Sequence, residues 1–399
     1  MSPKPSWIYA SARRHLRDAI LPALLIGLLA GAATLALRHV RALEAMEFSL
    51  HDRLSAQRAA REPHPDLTVI YETEADLKRF GHPIKDGQFA EALTKLLAMK
   101  PKFIAVDKYR DIPLPPGSDA FNAVLRDHAN ILWVAKHGRS TFDGVPPPQV
   151  LAGSDRIGCA DVPIDNDGRV RRYMLAMGGG KQVCPSIGYL TAAMILAESN
   201  QSAGFDNHAK GTVTLGANRA TLFTGQEGPY VSEDARGYQL TIGFDRAIAR
   251  AFTLTQLFDG AIPEAAIAGK TVLIGTSAIS LRDVFDVPAR TGREAVMPGV
   301  MLHATAIGEL LDAAAGTPRS AMMDATSIGV WTMAMAMLCA ALMLSPLSIP
   351  WAAVAGAMAI GAWLPVSYAS AGSGMLLAPV SPMAAGLFAA TVSPAWRAW

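Results

Sequence analysis

Residues 19–37 carry no charge and are rich in Leu and Ala. At 1.5 Å per residue a helix of that length spans roughly 28 Å, close to the hydrocarbon thickness of a bilayer. Beyond it Leu43, Met46, Leu50 and Leu54 recur at spacings of three and four between Arg41, Glu44, Glu47, Asp52 and Arg53. That period predicts an amphipathic helix continuing out of the membrane and ending by Pro63. Short apolar runs at 67–71, 103–106 and 131–135 read as buried strands. Between them lie helices at 88–99, whose Phe89, Leu93, Leu96 and Leu97 form one stripe stopped by Pro101, and at 119–128. Strand and helix in alternation predict a parallel sheet with helices on its faces. Residues 157–164 and 169–177 flank Asp165-Asn166-Asp167-Gly168, a hairpin signal. A helix at 185–197, strands at 213–223 and 238–244, a short helix at 254–258, a core strand at 271–274 and a helix at 300–314 follow. The chain then shows three apolar runs, 328–344, 351–368 and 375–392, divided by Ser345-Pro346 with Pro350 and by residues 369–374.

Charge sharpens this picture. The 399 residues are 51% hydrophobic and 18% charged with a net charge of +2, which excludes a disordered chain and a nucleic-acid-coating one. No charge occurs between Asp324 and Arg397, so 72 consecutive positions are uncharged, enough for three spans of about 20 residues. Lys4, Arg13, Arg14 and Arg17 against Asp18 precede the first apolar run, which places the N-terminus in the cytoplasm by the positive-inside bias. Trp331, Trp351, Trp363, Tyr368, Trp396 and Trp399 lie mostly near run ends, where amphipathic rings favour the interface. One span plus three returns the chain to the cytoplasm.

The expected layout is therefore a cytoplasmic N-terminus at 1–18, a transmembrane helix at 19–37, an exported domain at 38–320, three transmembrane helices at 321–396 and a cytoplasmic end at 397–399. The fold class is α/β: an exported domain with a mixed, largely parallel sheet and flanking helices, plus four transmembrane helices. Two alternatives stay open. Ala30-Gly31-Ala32 resembles a signal-peptide cleavage site, and Pro379 with Pro382 would fit a re-entrant segment and two C-terminal spans.

Cys159 and Cys184 are the only cysteines of the exported part, and an oxidising compartment would let them form a disulfide; two buried thiols are the other reading. Cys339, inside an apolar run, reads as a packing residue.

Catalytic motifs are missing: no nucleophile elbow, His-Glu-x-x-His, Walker loop or Gly-x-Gly-x-x-Gly occurs. Gly178-Gly179-Gly180 reads as a flexible link. The acidic turn does not fit a calcium loop, because it would put Pro163 at position one and Met174 at position twelve. Arg169, Arg171 and Arg172 after it read as a solvated or salt-bridged hairpin rather than an anion site. Asp107, Arg110 and Asp111 stand where the second strand ends, the usual ligand position on an α/β sheet. Asp283 and His303 are further candidate ligand contacts, with structural roles as the rival reading. Neither a catalytic set, a metal site nor a cofactor is expected.

Several segments together carry a resemblance. Gly269-Lys270-Thr271-Val272-Leu273-Ile274-Gly275-Thr276, Leu281-Arg282-Asp283-Val284-Phe285 and Met297-Pro298-Gly299-Val300 with His303 occur in the order seen in the type-2 CHASE domain. That family is the extracellular sensory domain of bacterial cyclases, histidine kinases and Ser/Thr kinases. Residues 107–113 with Pro115-Pro116-Gly117 resemble its second-strand motif, residues 165–172 its hairpin motif, and His51-Asp52-Arg53-Leu54 its opening helix. The resemblance covers about residues 45–315. It departs at Tyr71-Glu72-Thr73-Glu74, where the family usually shows Asp with Ser-Leu, and at His82-Pro83-Ile84-Lys85, in place of a Trp-Pro-rich stretch.

The resemblance implies one membrane helix before the domain, commonly three after it, and a place in the bacterial inner membrane with the domain in the periplasm. Relatives commonly continue into a cytoplasmic catalytic domain, whereas this sequence reaches Trp399 without one. The expectation is a non-enzymatic sensor that passes its signal through transmembrane helices to a separate output partner. The alternative is a non-catalytic structural subunit or scaffold of a membrane complex. Membrane lipid and either a homo-oligomer or a hetero-complex with an output or scaffold protein are the expected partners, and nucleic acid is not.

Overall fold

The computed structural model describes residues 19–56, 61–138, 143–179, 182–205, 211–244, 249–288 and 295–397. The basic flank before residue 19 and Gly180 of the expected glycine link lie outside the described residues, while Gly178 and Gly179 pair with Val183 and Gln182 as strand residues rather than forming a flexible link.

In chain order the elements are α1 (Leu21–His39), α2 (Glu44–Ala56), β1 (Leu67–Glu72), α3 (Glu74–Phe80), α4 (Asp86–Ala98), β2 (Phe103–Val106), α5 (Ser118–Asp127), β3 (Ile131–Ala135), β4 (Ile157–Cys159), β5 (Arg172–Gly179) and β6 (Gln182–Pro185). There follow α6 (Ile187–Glu198), β7 (Ala203–Phe205), β8 (Thr212–Leu215), β9 (Asn218–Thr221), β10 (Tyr238–Thr241), β11 (Arg250–Thr253), α7 (Leu254–Phe258), β12 (Thr271–Thr276), β13 (Val284–Asp286), β14 (Val296–Pro298) and α8 (Gly299–Ala314). The last elements are β15 (Ala321–Met322), α9 (Ala325–Met343), α10 (Ile349–Gly372), β16 (Met375–Leu376) and α11 (Val380–Arg397). The chain divides into two compact units: residues 1–58, 224–234 and 320–399, and residues 59–223 and 235–319.

The second unit is built on a six-stranded sheet in the order β11-β1-β12-β2-β3-β4, every neighbouring pair parallel. Strands β2 and β12 are buried along their whole length, as a parallel sheet covered on both faces requires. Two helix pairs clothe it, α4 against α5 and α6 against α8. Phe89 of α4, Phe121 of α5 and Trp133 of β3 meet with ring centroids 5.5–5.8 Å apart, an arrangement worth about 0.5–1.5 kcal/mol per pair beyond burial alone. Helix α8 lies so close over β12 that a Cβ built on Gly275 would fall 2.4 Å from Val300 Cβ.

Three readings of the sequence need correction. Turn 165–168 forms, with Gly168 N–H donating to Asp165 O at 2.9 Å, but its flanks do not pair as a hairpin. Residues 157–159 become the edge of the parallel sheet, and β5 instead pairs antiparallel with β6 and β10. Asp165 explains this, because its buried carboxylate binds Arg171 at 3.0 Å and Arg172 at 2.7 Å and turns both guanidinium groups inward rather than to solvent. Residues 213–223 are two short strands, β8 and β9, turned at Gly216 with φ 59°. Helix α3 and strand β11 escape the hydrophobic pattern altogether. The first is made by a capping box, in which Thr73 Oγ1 accepts from Asp76 N and Asp76 Oδ2 from Thr73 N.

In the first unit α1, α9 and α10 are long and apolar enough to cross a membrane. Helix α11, 18 residues with Pro394 inside it, is not among them. Helices α1, α9 and α11 pack on one another, and α10 packs on α9 and α11. Small residues set the spacing: a Cβ on Gly27 would come within 2.7 Å of Met337 Cα. The apolar stripe expected on α2 is only part of its buried face, Leu54 being buried and Leu43 and Leu50 half-buried. Met46 is exposed, while Glu47, Phe48, His51, Asp52 and Leu54 are buried. Polar burial has a reason at Glu47, whose carboxylate accepts from Ser381 N and Oγ at 2.9 Å each and so caps the start of α11. Arg38, at the end of α1, donates to the carbonyls of Gly228 and Tyr230 at 2.7 and 3.0 Å, holding residues 224–234 within this unit.

Gly275→Ala is expected to lower the stability of the full chain by about 1–3 kcal/mol, read from thermal unfolding in detergent. Gly204→Ala in β7, where a Cβ meets nothing within 4 Å, is the control and should change it by less than about 0.5 kcal/mol.

Candidate functional site

Ends of parallel strands converge where their connections diverge, and the crevice outside the carboxyl ends is the natural ligand position of such a sheet. Here that crevice is a cavity of ≈ 630 Å³. Its walls come from the segments following the strands: Asp107–Arg110 after β2, Lys136 after β3, residues 160–162 after β4, and residues 281–285 after β12. His82 to Ile84 and the first turn of α8, with Gly299 and His303, complete it.

Four of the five candidate contacts, Asp107, Arg110, Asp283 and His303, line this one cavity. Asp111 does not; it is exposed. Residues that the sequence reading passed over share the wall, among them His82, Lys108, Tyr109, Lys136 and Arg282. Lys108 and Tyr109 sat within the segment already chosen, whereas His82 follows the unforeseen helix α3. Cys159 and Cys184 are joined by a disulfide with Cα atoms 6.0 Å apart, tying the sheet edge β4 to β6.

Each charge has a definite setting. Lys108 is paired with the buried Glu72, which His82 also approaches at 3.7 Å. Arg110 donates to Asp86 Oδ1 and to Ile84 O at 2.9 Å each, with its guanidinium 5.5 and 5.8 Å from the ring centroids of Phe89 and Phe121. The Asp86 carboxylate also accepts from Leu114 N and Ser118 Oγ. His303 is held from behind: the Tyr173 hydroxyl, which accepts Gly188 N–H at 3.1 Å, lies 2.6 Å from His303 Nδ1. On the other side His303 Nε2 stands 3.6 Å from Asp107 Oδ2, outside hydrogen-bond reach.

Asp107 thus ends a buried strand with no hydrogen-bond donor on its carboxylate. Burial pushes its carboxyl up to about 7, against the pull of Lys108. Asp283 is pushed up to about 6, first by burial and then by the charge of Asp107. Burial drives the imidazole of His303 down to about 4, so it is neutral near pH 7. The Tyr109 hydroxyl is raised by burial and by the carboxylates of Asp107, Asp161 and Asp283, which places all three acids about one rim residue.

The cavity lacks a serine or cysteine nucleophile beside a base. Among the described residues no group of three His, Cys, Asp or Glu side chains is placed to hold a metal ion. What its lining does carry is two acids, Asp107 and Asp283, whose carboxyls burial shifts upward.

The family model for the CHASE2 domain matches residues 26–344, most of the chain. The chain belongs to the CHASE2 family. CHASE2 domains are extracellular sensory domains, and the matched range of this CHASE2 chain starts inside α1 and runs just past α9, so it takes in an apolar helix on either side of the α/β unit. Comparison with curated proteins and with solved structures returned no match.

The acids of the CHASE2 cavity predict a pH signature. For Asp107 the folded value of about 7 lies above the ordinary 3.8. Its contribution to stability is therefore fully present below the unfolded value and lost as pH rises through about 7. His303, at about 4 against 6.5, works the other way, its contribution being present above 6.5 and lost as pH falls through 4. Asp107→Asn removes the first, together with the charge by which Asp107 raises Asp283. Between about pH 5 and about pH 8 the variant should gain on the wild type in thermal stability by on the order of 2 kcal/mol. A pH-independent difference would mean that the carboxyl is well solvated.

Proposed function

We propose that this chain is a membrane-anchored sensor of the bacterial inner membrane, with residues 38–320 in the periplasm, that detects a solute in the cavity and passes the signal through its helices to an output partner. One observation carries the reading above all: in a CHASE2 domain, an acid-lined cavity opens at the strand ends, and His303 and Gly299 of its wall belong to α8. Helix α8 is the last helix before α9 in the chain, and α9 is apolar enough to cross a membrane. A solute that binds one arrangement of this wall more tightly than another shifts the population toward it, and a displaced α8 is the covalent route to α9.

The proposed topology has α1, α9, α10 and also α11 as spans, with both ends of the chain cytoplasmic. Support for α11 as the fourth is its packing against α1 and α9 and the uncharged stretch from 325 to 396. The reading is non-catalytic, in keeping with the cavity's lack of a nucleophile and base. Homo-oligomer or hetero-complex, the partner is reached through the helices.

Topology is checked with a reporter active only outside the cytoplasm. Inserted within residues 289–294 it should be active, and fused after Trp399 inactive; activity at both places would leave α11 short of a span. Signal passage is checked by crosslinking cysteine pairs placed along α1 and α9 in native membranes, with and without periplasmic extract. The sensor reading expects the pattern to change. A scaffold expects the same pattern under all conditions.

A further inference from the structure

This inference rests on the reading of the cavity as the sensory input and concerns the chemistry that enters it. The cations deepest in the wall are already matched. Lys108 is committed to Glu72 and Arg110 to Asp86, both acids almost wholly buried. Two acids remain unmatched. The Asp107 carboxylate accepts no hydrogen bond, His303 Nε2 standing 3.6 Å away. Asp283 accepts Gly299 N–H at its main-chain oxygen, 3.0 Å, but its carboxylate takes no hydrogen bond and lies against Gly299, where a Cβ would come within 2.6 Å of Oδ1. Beside them His303, its side chain 2% exposed, presents Nε2 to the cavity without a hydrogen bond.

The remaining cations are at the mouth. Arg282 and Lys136 are both exposed, and Lys136 Nζ lies 5.9 Å from the centroid of the half-open Tyr109 ring. The cavity is thus acidic within and basic at its entrance.

We propose that it takes a small zwitterion of the α-amino-acid type, with the ammonium group entering between Asp107 and Asp283 and the carboxylate left toward Arg282 and Lys136. An ammonium brings three N–H donors to acids that have none, and a buried carboxylate without donors is costly enough to favour any solute that supplies them. A dianion would meet the two carboxylates inside, and a diamine would place its second charge among the cations at the mouth. The volume of ≈ 630 Å³ leaves room for a side chain, and Tyr109 with Phe285 offers it apolar surface.

The test uses the full chain in lipid nanodiscs. Thermal midpoint is followed with each of the common L-amino acids in turn, with the N-acetyl form of each, and with 1,4-diaminobutane, succinate and inorganic phosphate. At least one free amino acid should raise the midpoint, its N-acetyl form should not, and Asp107→Asn and Asp283→Asn should each weaken it about tenfold or more. A cooperative thermal transition in both variants without solute shows that they have folded.

Absence of any shift with the amino acids overturns the proposal, as does equal binding of an N-acetyl form. If succinate or phosphate stabilises the wild type and Asp107→Asn abolishes the effect, the zwitterion is wrong while the cavity remains the input. If a free amino acid stabilises wild type and both variants equally, its site lies elsewhere and the cavity reading falls with the proposal.

Discussion

A carboxylate stripped of water and given no hydrogen bond is the constraint around which the site is arranged. Asp107 follows the last residue of a wholly buried strand, so its position is fixed by the sheet, and its charge is disfavoured there by burial. The usual remedies are absent: the neighbouring lysine is engaged by Glu72, and the neighbouring imidazole is neutral. Compare Asp165 and Asp86, still more deeply buried, which are answered by two arginines and by an arginine with two further donors. Those acids hold the fold together. Asp107 does not, and a buried polar group that the fold leaves unanswered marks a functional position.

The same contrast separates the two units. In the helical unit two buried charged residues find main-chain partners: Arg38 Nη2 the carbonyls of Gly228 and Tyr230, Glu47 the first amides of α11. Each is held at an end of an apolar helix, where ionised groups find main-chain partners that the helix interior does not offer. Residues 224–234 enter this unit from the α/β part of the chain and leave it again, with Phe223 N–H donating to Gln239 O at 2.8 Å across the two ends of the excursion. Besides the connections near residues 58 and 319, this strap is the route by which the chain joins the two units.

Much of the α/β core was legible because fully buried strands and striped helices announce themselves. The apolar runs that became β2 and β3, and the stripe through Phe89, Leu93 and Leu96, owe little to tertiary context. The fourth strand was legible as a strand but not in its extent or partner, because Ile157–Cys159 is three residues long and pairs in parallel with β3 rather than across the nearby turn. Nor was the whole buried face of α2 legible, since part of the burial there follows hydrogen bonding to Ser381, some 330 positions away in the chain, rather than hydrophobicity. Within the site, Asp107, Arg110, Asp283 and His303 were suggested by strand ends and by family resemblance, yet no sequence feature distinguished the matched arginine from the unmatched aspartates. That difference is made by Asp86, whose role as partner depends on the packing of α4 against α5.

Infrared spectroscopy of the full chain labelled with 13C-carboxyl aspartate, in membranes, measures the central claim directly. The account predicts a protonated-carboxyl band at about pH 6 with a component that disappears only as pH rises through about 7 and is missing from Asp107→Asn, beside the Asp283 component lost through about 6. A wild-type spectrum with no band that Asp107→Asn removes, every aspartate being ionised by about pH 5, would contradict it.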